Sequence, residues 1–170
     1  ILADSNEVLS EVDARARGLA KQMRKMPQQE HEFREPLVQI QAENRMGLLL
    51  LPVQINGRTR SLALATGADV TVLSSDVADL CGVELVPNYT YKARTANGHL
   101  ASQLGRIDRL DVGGLTIRSH PAMVVPQRDM LTPRFSIDGV LGITAIRAMD
   151  IEIDYNSLMI TIRKPEPRKD

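Results

Sequence analysis

The chain has 170 residues, 43% of them hydrophobic and 25% charged, which fits one packed domain, or one domain with an appendage, and excludes wholesale disorder. Lys and Arg total 21 and Asp and Glu total 21, so the formal net charge is zero; with three Tyr, two Phe and no Trp, this argues against a nucleic-acid binder. A single Cys excludes an intrachain disulfide and a thiolate metal site, and His31, His99 and His120 show no ligand spacing, so no metal or other cofactor is expected.

In chain order, Asp4 to Met26 reads as one amphipathic helix. Asp4 or Ser5 caps it, Val8, Val12, Ala16, Leu19, Ala20, Met23 and Met26 form its apolar stripe, and Pro27 ends it. Gln28 to Asn44 is polar, carries Pro36, and reads as a linker or extended arm. From Gly47 the character changes to short apolar segments broken by Gly, Pro and Asn. Gly47–Ile55 and Arg58–Leu64 flank Asn56-Gly57, the pair that supplies the positive φ angles of a tight hairpin turn. Val70–Leu73 is a further strand, and Asp76–Cys81 a short helical turn. Tyr89–Thr95 and His99–Arg106 flank Ala96-Asn97-Gly98 as a second hairpin, and Arg109–Val112 and Leu115–Arg118 flank Gly113-Gly114 as a third. Ala122–Val125 is a buried-strand candidate and Pro126–Ser136 a polar loop. Val140–Ile143 is a strand, Thr144–Ala148 a short helix, and Asp150–Asp154 with Leu158–Ile162 a closing hairpin. Many short strands at this spacing predict an all-β barrel or sandwich, here with an N-terminal helical extension. The longest apolar run, Leu48–Leu51, is strand-length, far short of the ~20 residues of a membrane span. The chain begins at Ile1, so it reads as a fragment or processed form that a signal peptide or membrane anchor would have preceded.

The informative segment is Leu62-Ala63-Leu64-Ala65-Thr66-Gly67-Ala68-Asp69-Val70-Thr71-Val72-Leu73-Ser74. It resembles the active-site loop of retropepsin-like aspartic proteases, in which apolar residues, Asp-Thr-Gly-Ala and further apolar residues follow one another. Every element is present except the catalytic Asp, whose place is taken by Ala65. Ile137-Asp138-Gly139-Val140-Leu141-Gly142 is similar to the family's second signature, and Thr95-Ala96-Asn97-Gly98 to its flap tip. Asp150 to Tyr155 is similar to the end of bacterial members. The motifs come in the family's order and cover residues 46 to 163. They imply a single-lobe retropepsin-like barrel at 46–165, after a helix and linker at 1–45 and before a tail at 166–170.

The chemistry agrees. A peptide hydrolase with neither metal nor nucleophile must activate water. Two carboxylates about 3 Å apart do so, because like charge makes them share one proton, one acting as general base and the other as general acid. The sequence holds one such loop, so the resemblance implies a homodimer with one loop from each protomer at a two-fold axis. It also implies a role for each position. Ala65 stands where the carboxylate belongs, and Thr66 braces the paired loops. Gly67 lets the substrate backbone approach, and Ala68 and Asp69 line the groove. Thr95, Ala96, Asn97 and Gly98 close as a flap, while Val140, Leu141 and Gly142 pack beneath the loop and line side pockets for the substrate. Some members carry an Arg after the late Gly that pairs with the Asp at position 69; here Ile143 and Thr144 follow.

The parent activity is therefore expected to be endopeptidase cleavage of protein or peptide substrates, without nucleic acid as a partner. Ala65 leaves this chain inactive. Because loop and flap show no other decay, Ala65 reads as an engineered replacement; the alternative is a natural pseudoprotease that binds peptides or acts as a scaffold. Asp138 reads as a turn residue, Cys81 as a small buried apolar residue, and the three His as surface or local hydrogen-bonding residues. The N-terminal segment reads as a pro-segment or regulatory arm, a dimer clamp or a packing element. The resemblance is to a bacterial branch that is periplasmic or membrane-anchored facing the periplasm.

Overall fold

A computed structural model describes residues 17–95, 98–130, 137–147 and 149–165. Residues 17–23 are helical (α1), and the expected start of this helix lies outside the described residues. The helical backbone ends ahead of Pro27, whose ring cannot continue it. The stretch expected as a linker or extended arm is extended, and it is paired: β1 (Glu30–Phe33), β2 (Leu37–Gln41) and β3 (Glu43–Arg45) all join sheets. Alternation explains β2, in which Val38 and Ile40 are buried while Leu37, Gln39 and Gln41 face outward.

β4 (Leu48–Ile55) and β5 (Arg58–Ala65) form the expected hairpin, with Asn56 and Gly57 at φ of 48° and 80°. β6 (Thr71–Ser74) follows, then α2 (Ser75–Leu80), whose first turn is capped by the Ser74 hydroxyl accepting from the Val77 N–H. The next two expected hairpins fuse. β7 (Glu84–Thr95) pairs with β8 (Gly98–Val112), and β8 turns at Gly113-Gly114 into β9 (Leu115–Val125). Four expected short strands are thus pieces of two long ones. β10 (Gly139–Gly142) leads into a 3₁₀ turn at Ile143–Ala145, where a short helix was expected. β11 (Asp150–Asp154) and β12 (Met159–Arg163) form the closing hairpin, and β2 completes their three-stranded sheet. Ala96 and Asn97, residues 131–136, Ala148 and the tail 166–170 lie outside the described residues.

The larger sheet runs β1-β9-β6-β10-β5-β4-β8-β7, with β3 on β4 and an additional pairing of β8 with β9. That additional pairing closes β9, β6, β10, β5, β4 and β8 into a ring, an all-β barrel that hides its own edges. Leu51, Ile55, Leu62, Leu73, Ile107, Leu110, Leu115, Ile117 and Leu141 supply its core. Among the described residues no helix is long and apolar enough to cross a membrane.

Two features of this barrel position the site. β5 and β6 are neighbours in sequence but do not pair; β10 lies between them, parallel to β5 and antiparallel to β6. Glycine makes the insertion possible, because a Cβ on Gly139 would stand 2.4 Å from Val72 O and one on Gly142 2.4 Å from Val70 C. In addition, β1 and β6 share one edge of β9, β1 at 115–118 and β6 at 122–125, and His120 sits where the edge passes from one to the other.

Candidate active site

Ala65 ends β5 in register with Gly142 of β10. The chain then turns outward: Thr66, Gly67 and Asp69 are exposed, while Ala65 and Ala68 are half-buried. Backbone hydrogen bonds hold this turn. The Ala68 N–H donates to Ala65 O at 3.1 Å, the Ile143 N–H to Ala68 O at 2.8 Å, and the Thr144 N–H to Asp69 O at 3.3 Å. Ile143 and Thr144, the pair that follows Gly142, therefore grip the loop through their amides. Among the described residues the Asp69 carboxylate has no ion-pair partner, so it faces solvent uncommitted.

Behind the loop, Leu141 and Gly142 are buried and so pack beneath it without lining an open pocket of the protomer, while Val140 is half-buried. Asp138 does more than make a bend. Its Oδ2 accepts from the Ser61 N–H at 3.0 Å and its carbonyl from the Ser74 N–H at 3.2 Å, so it pins β5 and β6 on either side of β10. Thr95 and Gly98 stand opposite each other at the end of the β7–β8 hairpin, and the flap tip between them lies outside the described residues. Cys81 is buried, and that burial raises its thiol pKa. No cluster of three or more His, Cys, Asp or Glu among the described residues is placed to hold a metal ion.

A family model described as aspartyl protease matches residues 51–145, from β4 through the loop to the 3₁₀ turn. The chain belongs to the aspartyl protease family. Among solved structures it is similar to a retropepsin-like aspartic protease from Rickettsia conorii, at 18% identity and a TM-score of 0.54, covering 81% of this chain and 96% of that one. A retroviral protease-like domain of Ddi1 from Leishmania major matches at 19% identity and a TM-score of 0.47, over 68% of this chain and 87% of that one. Comparison with curated proteins gives no match.

The aspartyl protease loop rests on a buried polar group that residue patterns did not reveal. His120 is fully buried, not a surface residue, and its partners are distant in sequence. The Thr71 Oγ1 accepts from the Gly142 N–H at 3.2 Å, which leaves its own hydrogen for His120 Nε2 at 2.7 Å. That assigns the ring proton to Nδ1, which donates to Gln29 Oε1 at 2.9 Å. Every polar atom of the imidazole is satisfied in its neutral form. Burial, reinforced by nearby His31, drives the His120 pKa down from 6.5 to about 3.

The sign of the pH effect follows. The unfolded chain takes up a proton on His120 below pH 6.5 while the folded chain refuses it until about 3, so this contribution to stability is present above 6.5 and lost progressively between those values. A one-proton difference is worth about 1.4 kcal/mol per pH unit. His120→Gln, compared with the parent in urea melts from pH 7 to 4, is expected to flatten the acid-side slope by up to that amount. Parallel slopes would remove His120 as its source.

Proposed function

We propose that this chain is one protomer of a homodimeric aspartic endopeptidase whose catalytic carboxyl position carries Ala65, so that the assembly binds a peptide without cutting it. The observation that carries the reading is the threading of β10 between β5 and β6, which turns Thr66 and Gly67 outward at the strand end where the family places its acid. The barrel offers one such loop, and a dyad needs two. The exposed Thr66 hydroxyl is available to a partner's loop across a two-fold axis. A Cβ built on Gly67 meets no heavy atom within 4 Å in the protomer, which suits a position that receives a substrate backbone. Ala68 O and Asp69 O are occupied by the turn, which leaves the Asp69 carboxylate as the group turned toward substrate.

The groove and loop bind and orient a peptide, and the water-activating step waits on the missing carboxyls. The rest of the loop is intact, which supports replacement of a former Asp over gradual decay. The test is Ala65→Asp: both forms are incubated alone and with a mixed peptide library, and masses are followed over time. Cleavage by the Asp form only is expected. If neither form cuts while both retain peptides, the chain is a binding module and the protease reading fails.

A further inference from the structure

Gln29 and His31, just ahead of and within β1, contact the 3₁₀ turn whose amides hold the loop described above. We propose that Gln29 and His31 form a clasp on the 3₁₀ turn Ile143–Ala145 that positions the Ala65–Asp69 loop, which makes this strap a permanent part of the site and not a removable pro-segment. The proposal rests on the reading of that loop as the peptide-contacting one.

The connections are direct. Gln29 Nε2 donates to Thr144 O at 3.1 Å, while its Oε1 accepts from His120 at 2.9 Å. His31 Nε2 lies 2.8 Å from Gln29 Nε2 and 3.2 Å from Ala145 O. Without a proton that nitrogen accepts from Gln29; with one it donates to Ala145 O, so the ring holds either the amide or the turn. On the opposite side of the turn, the N–H groups of Ile143 and Thr144 hold the carbonyls of Ala68 and Asp69. Thr144 is therefore gripped from both sides, its carbonyl by the strap and its amide by the loop. A second route runs from Gln29 through His120 and Thr71 to the Gly142 N–H, directly across from Ala65.

These contacts span the fold. Gln29 and Thr144 are 115 positions apart, and Gln29 and His120 are 91 apart. β1 anchors the strap alongside β9 over Glu30–Phe33, so Gln29 is held at the point where β1 gives way to β6 on that edge. An arm that merely covered the barrel would leave its polar atoms to solvent. Here removing Gln29 strands the His120 Nδ1–H inside the protein and frees the Thr144 carbonyl.

Gln29 and His31 act through other groups, so they are positioning residues, and the test reads the loop's own support. Hydrogen exchange is measured on the Ala65 chain and on its Gln29→Ala and His31→Ala variants. The expected result is at least about 10-fold faster exchange at the Ile143 and Thr144 amides in Gln29→Ala. A smaller change in the same direction is expected in His31→Ala, whose side chain is exposed and leaves folding undisturbed, with β4–β5 amides unchanged in both. In the Ala65→Asp background, Gln29→Ala is expected to lower kcat by about 10- to 100-fold with KM little changed. Unchanged exchange at Ile143 and Thr144 in both variants overturns the clasp, and so does uniform acceleration across the barrel. If Ala65→Asp is inert, the protease reading falls by itself while the exchange data still decide the clasp.

Discussion

Placing a carboxyl at position 65 is expected to raise peptide cleavage at least about 10⁴-fold, because general-base and general-acid assistance each contribute roughly 10²–10⁴ and the Ala65 methyl supplies neither. Nothing in the loop must be rebuilt to receive the new group. The turn is held by backbone hydrogen bonds from Ala68, Ile143 and Thr144, and none of them involves the side chain at 65. The gain carries a stoichiometric signature. If each site takes one carboxyl from each protomer, mixing equal amounts of the Asp and Ala forms leaves activity per Asp-bearing chain at about half once subunits have exchanged. Activity that stays proportional to the Asp chain alone would rule out a shared site. The pH profile should favour the acid side of neutrality, since two carboxylates in contact work while they share one proton.

The second large effect is structural. Gly142→Ala is expected to cost about 3 kcal/mol or more, because its Cβ would stand 2.4 Å from Val70 C, 2.6 Å from Val70 O and 2.7 Å from Thr71 N, all of them backbone atoms. No side-chain rotation relieves that clash; β6 itself must move, and with it the Thr71 hydroxyl that serves both Gly142 and His120. In a chain of this size such a loss lowers Tm by roughly 6–12 °C. Gly67→Ala is the informative contrast. It meets open space and should melt within about 2 °C of the parent, consistent with ordinary surface changes. Its loss should appear in peptide affinity. If the two variants melt alike, the close passage of β10 past Val70 is not what limits the fold.

Much of the barrel was legible in local chemistry. Asn56-Gly57 and Gly113-Gly114 announce their turns, and the run from Leu62 to Ser74 marks the loop together with both flanking strands. What escaped depends on partners far along the chain. Glu30-His31-Glu32-Phe33 is a polar edge strand with one half-buried residue, so it carries little hydrophobic signal until β9 is beside it. Val38 and Ile40 do alternate with polar residues, yet Pro36 and the flanking glutamines and glutamates make the stretch read as a linker. His120 looks like any isolated histidine, since Thr71 lies 49 positions away and Gln29 91. A weak signal was present even so: His120 stands just ahead of the apolar run Ala122–Val125 of β9, and a polar residue buried there needs a partner.

The insertion of β10 also imposes an order of events. β5 and β6 leave the ribosome with only residues 66–70 between them and are free to pair with each other, an arrangement the finished barrel forbids. The strand that must separate them, β10 at Gly139–Gly142, follows much later than β6 at Thr71–Ser74. At synthesis rates of about 5–20 residues per second, two strand edges at the heart of the molecule wait roughly 3–14 s for their neighbour. During that interval the nascent chain offers a ready-made slot to any extended segment, its own or another chain's. The geometry that displays the loop so well in the folded protein thus makes its newborn form the stage most exposed to misassembly.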